Sequence, residues 1–176
     1  MNPCERFVST TRLGFVDVRK EQTMVNVKVN MEEARAVADI IEALLTIYER
    51  RGEVLCLEQH VGVIVPFRGQ IGVVKKLLRE RLGHGDKIMV DTVECYQGSQ
   101  RDIIIYSTTI SKKYQLELLS VTQNIDGVVV DRKLNVAISR ARKQLFVLGD
   151  VSLLSRNCIY DQLINNSKVV RVGSWD

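Results

Sequence analysis

The sequence predicts an α/β domain with a largely parallel sheet, and three observations carry that prediction. Val61–Val65, Ile103–Tyr106 and Leu145–Leu148 are short unbroken apolar runs, as expected of strands covered on both faces. Between them lie longer segments whose apolar residues recur at helical spacing. The 176 residues suit one domain with one core, residues 1–176, with no internal repeat and no Pro- or Ser-rich linker.

Taken in order, residues 1–30 read as irregular or β-like, with strands at Leu13–Val18 and, by alternation, Met24–Val29. Asn30 is an N-cap, and Glu33 three residues later completes a capping-box pattern. Ala34, Val37, Ala38, Ile41, Leu44, Leu45 and Tyr48 then mark an amphipathic helix that Gly52 stops. Strand Val61–Val65 closes at Pro66, helix Gln70–Leu82 ends at Gly83, and Ile88–Val93 is the next strand. A polar turn, Glu94–Arg101, leads to strand Ile103–Tyr106. Residues 111–130 are a loop or excursion. Leu134, Ala137, Ile138 and Ala141 form the apolar face of a helix that feeds the strand Leu145–Leu148. Arg140, Arg142 and Lys143 leave that face, gathering phosphate-gripping donors near one end of the sheet. A helical tail from Val151 to about Asn165 and a short Val169–Val172 strand end the pattern. In open α/β sheets ligands sit outside the carboxyl ends of the strands, so the turns there are the places to inspect.

Bulk properties exclude several classes. A net charge of +4 is a mild basic bias, compatible with nucleic acid but not an argument for it. No apolar run approaches a membrane span and no signal-peptide h-region opens the chain, so a soluble, cytoplasmic protein is expected. Cys4, Cys56, Cys95 and Cys158 are scattered, and His60 and His84 stand alone, so no zinc site is expected. No local Ser/His/Asp set suggests nucleophilic catalysis.

Three segments, Val61–Gln70 (VGVIVPFRGQ), Val90–Ile105 (VDTVECYQGSQRDIII) and Leu134–Arg142 (LNVAISRAR), resemble motifs IV, V and VI of superfamily 1 helicases. The branch includes the nonsense-mediated-decay RNA helicase and the helicase/nuclease of Okazaki-fragment processing. The resemblance runs from about residue 30 to residue 165, with the motifs in order. It implies a three-layer RecA-like domain, the second of a two-domain motor. ATP and Mg²⁺ would be bound mainly by the first domain, and single-stranded DNA or RNA would run across both. By the same resemblance Arg140 is the arginine finger, a role worth roughly 10³–10⁵ in rate in well-studied GTPases. Gly98, after Gln97, would let the turn approach nucleotide, with Gln100 and Arg142 alongside. Thr92 would donate its hydroxyl to a nucleic-acid phosphate, and Val65, Pro66 and Phe67 would lie along the same track.

Two residues depart from the family pattern. Gln100 stands where a glutamate is usual, keeping an acceptor but losing the charge. Val65 stands where threonine is common, removing a phosphate donor. There is also no Gly-x-x-x-x-Gly-Lys-Ser/Thr cradle and no recognisable acidic Walker B strand end. The expectation is a C-terminal motor domain of a larger helicase, inactive without its N-terminal RecA-like partner domain. The rival is a non-enzymatic nucleic-acid-binding or scaffold module of the same fold.

Overall fold

The computed structural model describes residues 1–19, 28–83, 87–96 and 98–173. Six strands form one sheet: β1 (Leu13–Asp17), β2 (Val61–Val65), β3 (Met89–Thr92), β4 (Arg101–Ser107), β7 (Ala141–Gly149) and β8 (Lys168–Arg171). Their order is β3-β2-β4-β7-β1-β8, and every neighbouring pair is parallel. β2 is buried along its whole length, as are the last five residues of β4 and of β7. This explains their unbroken apolar runs.

One face of the sheet is covered by α1 (Pro3–Thr10), α2 (Met31–Arg50) and α4 (Arg68–Leu82), packed over Val63, Val65, Ile105 and Phe146. The other face carries α6 (Arg132–Arg140), α7 (Val151–Leu154) and α8 (Cys158–Asn165), packed over Ile64, Ile104, Tyr106 and Val147. The three-layer arrangement follows the expected α/β class, and α2 and α4 follow the helical periodicity. Asn30 caps α2 by accepting from the Glu33 amide at 3.1 Å. Gly83 ends α4 at φ +66°, a left-handed turn open to glycine.

Four expectations need correction. Residues 3–10 are the helix α1, not irregular or β-like. Asn2 Oδ1 accepts from the Glu5 amide at 2.7 Å, Glu5 reaches back to the Asn2 amide at 3.2 Å, and Pro3 opens the first turn. The tail is not one helix, because Asp150 and Asn157 each cap a separate short one. The helix of motif VI stops at Arg140, so Arg142 and Lys143 belong to strand β7. Residues 115–131 hold the short helix α5 (Gln115–Leu119) and an antiparallel hairpin of β5 (Thr122–Ile125) and β6 (Val128–Asp131). A further short helix, α3 (Leu57–His60), leads into β2. Residues 24–27 of the expected Met24–Val29 strand lie outside the described residues, and Lys28 lies in a turn.

Candidate nucleotide and strand sites

The motifs fall at opposite ends of the sheet. Val65 and Thr92 are register partners at the carboxyl ends of β2 and β3. The Val65 side chain is wholly buried, whereas Pro66, Phe67 and Thr92 are half-buried at the rim. Phe67 precedes α4, and its carbonyl accepts from the Gln70 amide at 3.0 Å. The Thr92 hydroxyl lies 3.9 Å from the Cys95 thiol sulfur and donates toward it. The neighbouring Glu94 carboxyl is held below its usual range, first by its own backbone amide and then by the Thr92 hydroxyl and Lys133. It stays ionised.

From Thr92 the chain must return to the amino end of the sheet to begin β4. A single 3₁₀ turn, Val93–Tyr96, starts that return along the face. Tyr96 is fully buried and its phenol donates to the Met89 carbonyl at 2.5 Å. A Cβ at residue 62 would stand 2.7 Å from the Tyr96 oxygen, so β2 needs Gly62 beneath the ring. Gly98 sits in open space at φ +81°, a backbone state that L side chains rarely adopt.

The return ends beside motif VI, at the amino ends of β4 and β7. This departs from the general rule that ligands in open α/β sheets sit outside the carboxyl ends of the strands. Gln100 bridges the two motifs: its amide donates to the Ser139 carbonyl at 3.3 Å, and its oxygen accepts from Arg142 Nε at 3.3 Å. A glutamate could keep the second contact but not the first. Arg101 pairs with Ala141 whereas Ile103 pairs with Gln144, so β7 carries one extra residue. That bulge exposes Arg142 and Lys143 in succession. Lys143 pairs with Asp102 at 2.8 Å, which raises the lysine pKa. Arg140 differs from both. Its Nε is buried without a hydrogen-bond partner, and no carboxylate pairs with its guanidinium among the described residues. Gln100, Arg140 and Arg142 are thus brought together. Thr92 and the 65–67 turn form a separate group.

One polar cluster lay hidden in the sequence. Glu33 reads there as a local capping residue, yet it is fully buried and reaches β4. Ser107 Oγ and the Thr109 amide donate to Glu33 Oε2 at 2.6 and 2.8 Å, and Asn30 Nδ2 donates to Oε1 at 3.0 Å. Gln70 completes the cluster: its Oε1 accepts from the Asn30 amide at 2.9 Å, and its amide donates to the Asn30 carbonyl at 2.8 Å. Thr109 takes φ +62°, unusual for a β-branched residue. Gln70 is likewise fully buried, in the first turn of α4.

Comparison with known proteins agrees with these motifs. The model of the AAA domain family matches residues 4–152. The chain is 32% identical over 143 residues to the DNA polymerase alpha-associated DNA helicase A of Saccharomyces cerevisiae, covering 81% of this chain and 18% of that protein. It is 26% identical over 161 residues to the helicase sen1 of Schizosaccharomyces pombe, covering 89% and 9% respectively. It is 32% identical over 147 residues to the DNA replication ATP-dependent helicase/nuclease DNA2 of Xenopus laevis, covering 78% and 12%. The chain therefore spans less than a fifth of the length of these relatives. Among the described residues no helix is long and apolar enough to cross a membrane. With the family model matched over most of the chain and three helicase motifs in order on a parallel sheet, this chain belongs to the AAA domain family and is a superfamily 1 helicase domain of the nonsense-mediated-decay and Okazaki-fragment branch.

Proposed function

We propose that the chain is the second motor domain of an ATP-dependent DNA or RNA helicase, supplying Arg140 as arginine finger and a portion of the single-strand track. The observation that carries the reading is the contrast among three neighbouring cations. Lys143 is neutralised by Asp102 and Arg142 is tied to Gln100, but the buried Arg140 Nε has no partner among the described residues. A permanently charged planar fork left unpaired at a helix end suits a phosphate oxygen supplied from outside the domain. Its task is to stabilise charge developing on the γ-phosphoryl group.

On this chain the groups suited to a nucleoside triphosphate are Arg140 and Arg142, with Gln100 and Gly98 shaping the turn beside them. Mg²⁺, held mainly outside this chain, would supply neutralisation of the phosphate charge. No group of three His, Cys, Asp or Glu residues suited to a metal occurs among the described residues. The reading assigns Mg²⁺ and most ATP contacts to a first RecA-like domain in the same parent protein. Single-stranded nucleic acid would pass the other end of the sheet, at Thr92 and the 65–67 turn. The wholly buried Val65 can serve that track through its backbone only.

Steady-state ATP hydrolysis by the purified chain tests the assignment. The chain alone should release phosphate no faster than a buffer control, because the finger acts on phosphate held elsewhere. Turnover that survives extensive purification and disappears in Arg140→Ala would overturn the two-domain reading.

A further inference from the structure

Beside Thr92 the fold contains a small pocket that the strand-track reading does not use. The 3₁₀ turn supplies Val93 and Glu94, α6 supplies Arg132, Lys133 and Val136, and Val121 closes the third side. Its volume is about 240 Å³, below the roughly 300–1,000 Å³ of ordinary small-molecule clefts. The walls are held in place by backbone and side-chain bonds. The Arg132 amide donates to the Val121 carbonyl at 2.9 Å, and Lys133 Nζ donates to the Leu118 carbonyl at 3.1 Å.

The chemistry of the pocket is two-sided. Three valines form apolar walls, and of these Val121 is 41% exposed although it lies against the domain. Two cations and one carboxylate form the rim. Arg132 is exposed and pairs with no carboxylate among the described residues. Such a site suits a flat, apolar-faced heterocycle that carries edge N–H donors and is tethered to phosphate. The geometry points to this pocket as the seat of one nucleobase of the single strand, with Glu94 accepting from the base edge and Arg132 engaging the adjoining phosphate. The proposal rests on Thr92 contacting the same strand, since Glu94 sits in the 3₁₀ turn that directly follows Thr92 and so lies immediately beside the track.

Equilibrium binding of this chain to a short fluorescent single strand, and to the same strand made entirely of abasic sugars, tests the pocket. The base-bearing strand should bind at least about fivefold more tightly, the low end of the value of one packed base. Val136→Phe, which fills the pocket, should bring that ratio close to one while leaving abasic binding unchanged. Arg132→Ala should weaken both strands alike and lower the salt slope by about 1. Equal binding of the two strands by the wild-type chain overturns the base pocket. If Thr92→Val still weakens both strands in that case, the track stands without it. Failure of the wild-type chain to bind either strand overturns pocket and track together. The abasic comparison needs no variant, so a misfolded Val136→Phe does not spoil it.

Discussion

Two polar groups at opposite ends of the sheet, the Glu33 carboxylate and the Arg140 guanidinium, are treated in opposite ways. At the carboxyl end, Glu33 is buried with both oxygens engaged, and Asn30, Gln70 and Ser107 are bonded into the same network. At the amino end, Arg142 and Lys143 are exposed on a bulge, and Arg140 has a buried Nε that nothing accepts among the described residues. A buried polar group without a partner costs about 1–3 kcal/mol, and among the described residues such atoms occur at Thr11, Arg101, Asp131 and Arg140, whereas the groups around Glu33 are satisfied. The first network locks the end of β4 to the starts of α2 and α4. On the proposed reading, Arg140 meets a phosphate supplied from outside the domain.

Stability measurements can break this contrast. The largest effect should come from Glu33→Ala. It strips the acceptor from Ser107 Oγ, the Thr109 amide and Asn30 Nδ2, all buried, and should cost about 3–5 kcal/mol in denaturant unfolding. Glu33→Gln keeps one acceptor oxygen and should cost less, about 1–2 kcal/mol. An equal loss for the two would mean that the charge, not the hydrogen bonding, holds the β4 end. At the amino end Arg140→Ala should change unfolding free energy by no more than about 0.5 kcal/mol, since it breaks no pair the fold relies on. A loss as large as that of Glu33→Gln would make Arg140 a structural residue. The smallest effect belongs to Gln100→Glu. It strengthens the exposed contact to Arg142 but loses donation to the Ser139 carbonyl, so the net change should stay within about 0.5 kcal/mol and shrink further in high salt.

The same contrast explains what the sequence revealed. β2, β4 and β7 were legible because strands buried on both faces must be apolar throughout, and α2 and α4 because one apolar stripe repeats over several turns. The boundary between α6 and β7 was not. No Gly or Pro separates Ser139 from Gln144, so the basic run reads as a continuing helix, although Arg142 and Lys143 lie on a bulged strand. α1 was missed although Asn2, Pro3 and Glu5 form a complete start signal, because the eight-residue helix offers too few turns for periodicity to show. For the candidate site, the residues of motifs V and VI could be named from the sequence individually, but their division between two ends of the sheet depends on the return path through Tyr96. The Glu33 network was invisible because a glutamate at the third position of a helix already has a local explanation. Here Gln70 accepts the Asn30 amide instead, and the Glu33 carboxylate reaches β4.

The most direct test of the account places Arg140 back beside a first motor domain. In a two-domain helicase containing this chain, kcat and KM for ATP should be measured for wild type, Arg140→Ala and Arg140→Lys in saturating single-stranded nucleic acid. The account predicts that Arg140→Ala lowers kcat by roughly 10³-fold or more with KM little changed, because the finger acts on the transition state. Arg140→Lys should fail to rescue, because a point charge cannot reproduce the planar fork. A kcat that is unchanged in Arg140→Ala would contradict the central claim and move the finger to Arg142.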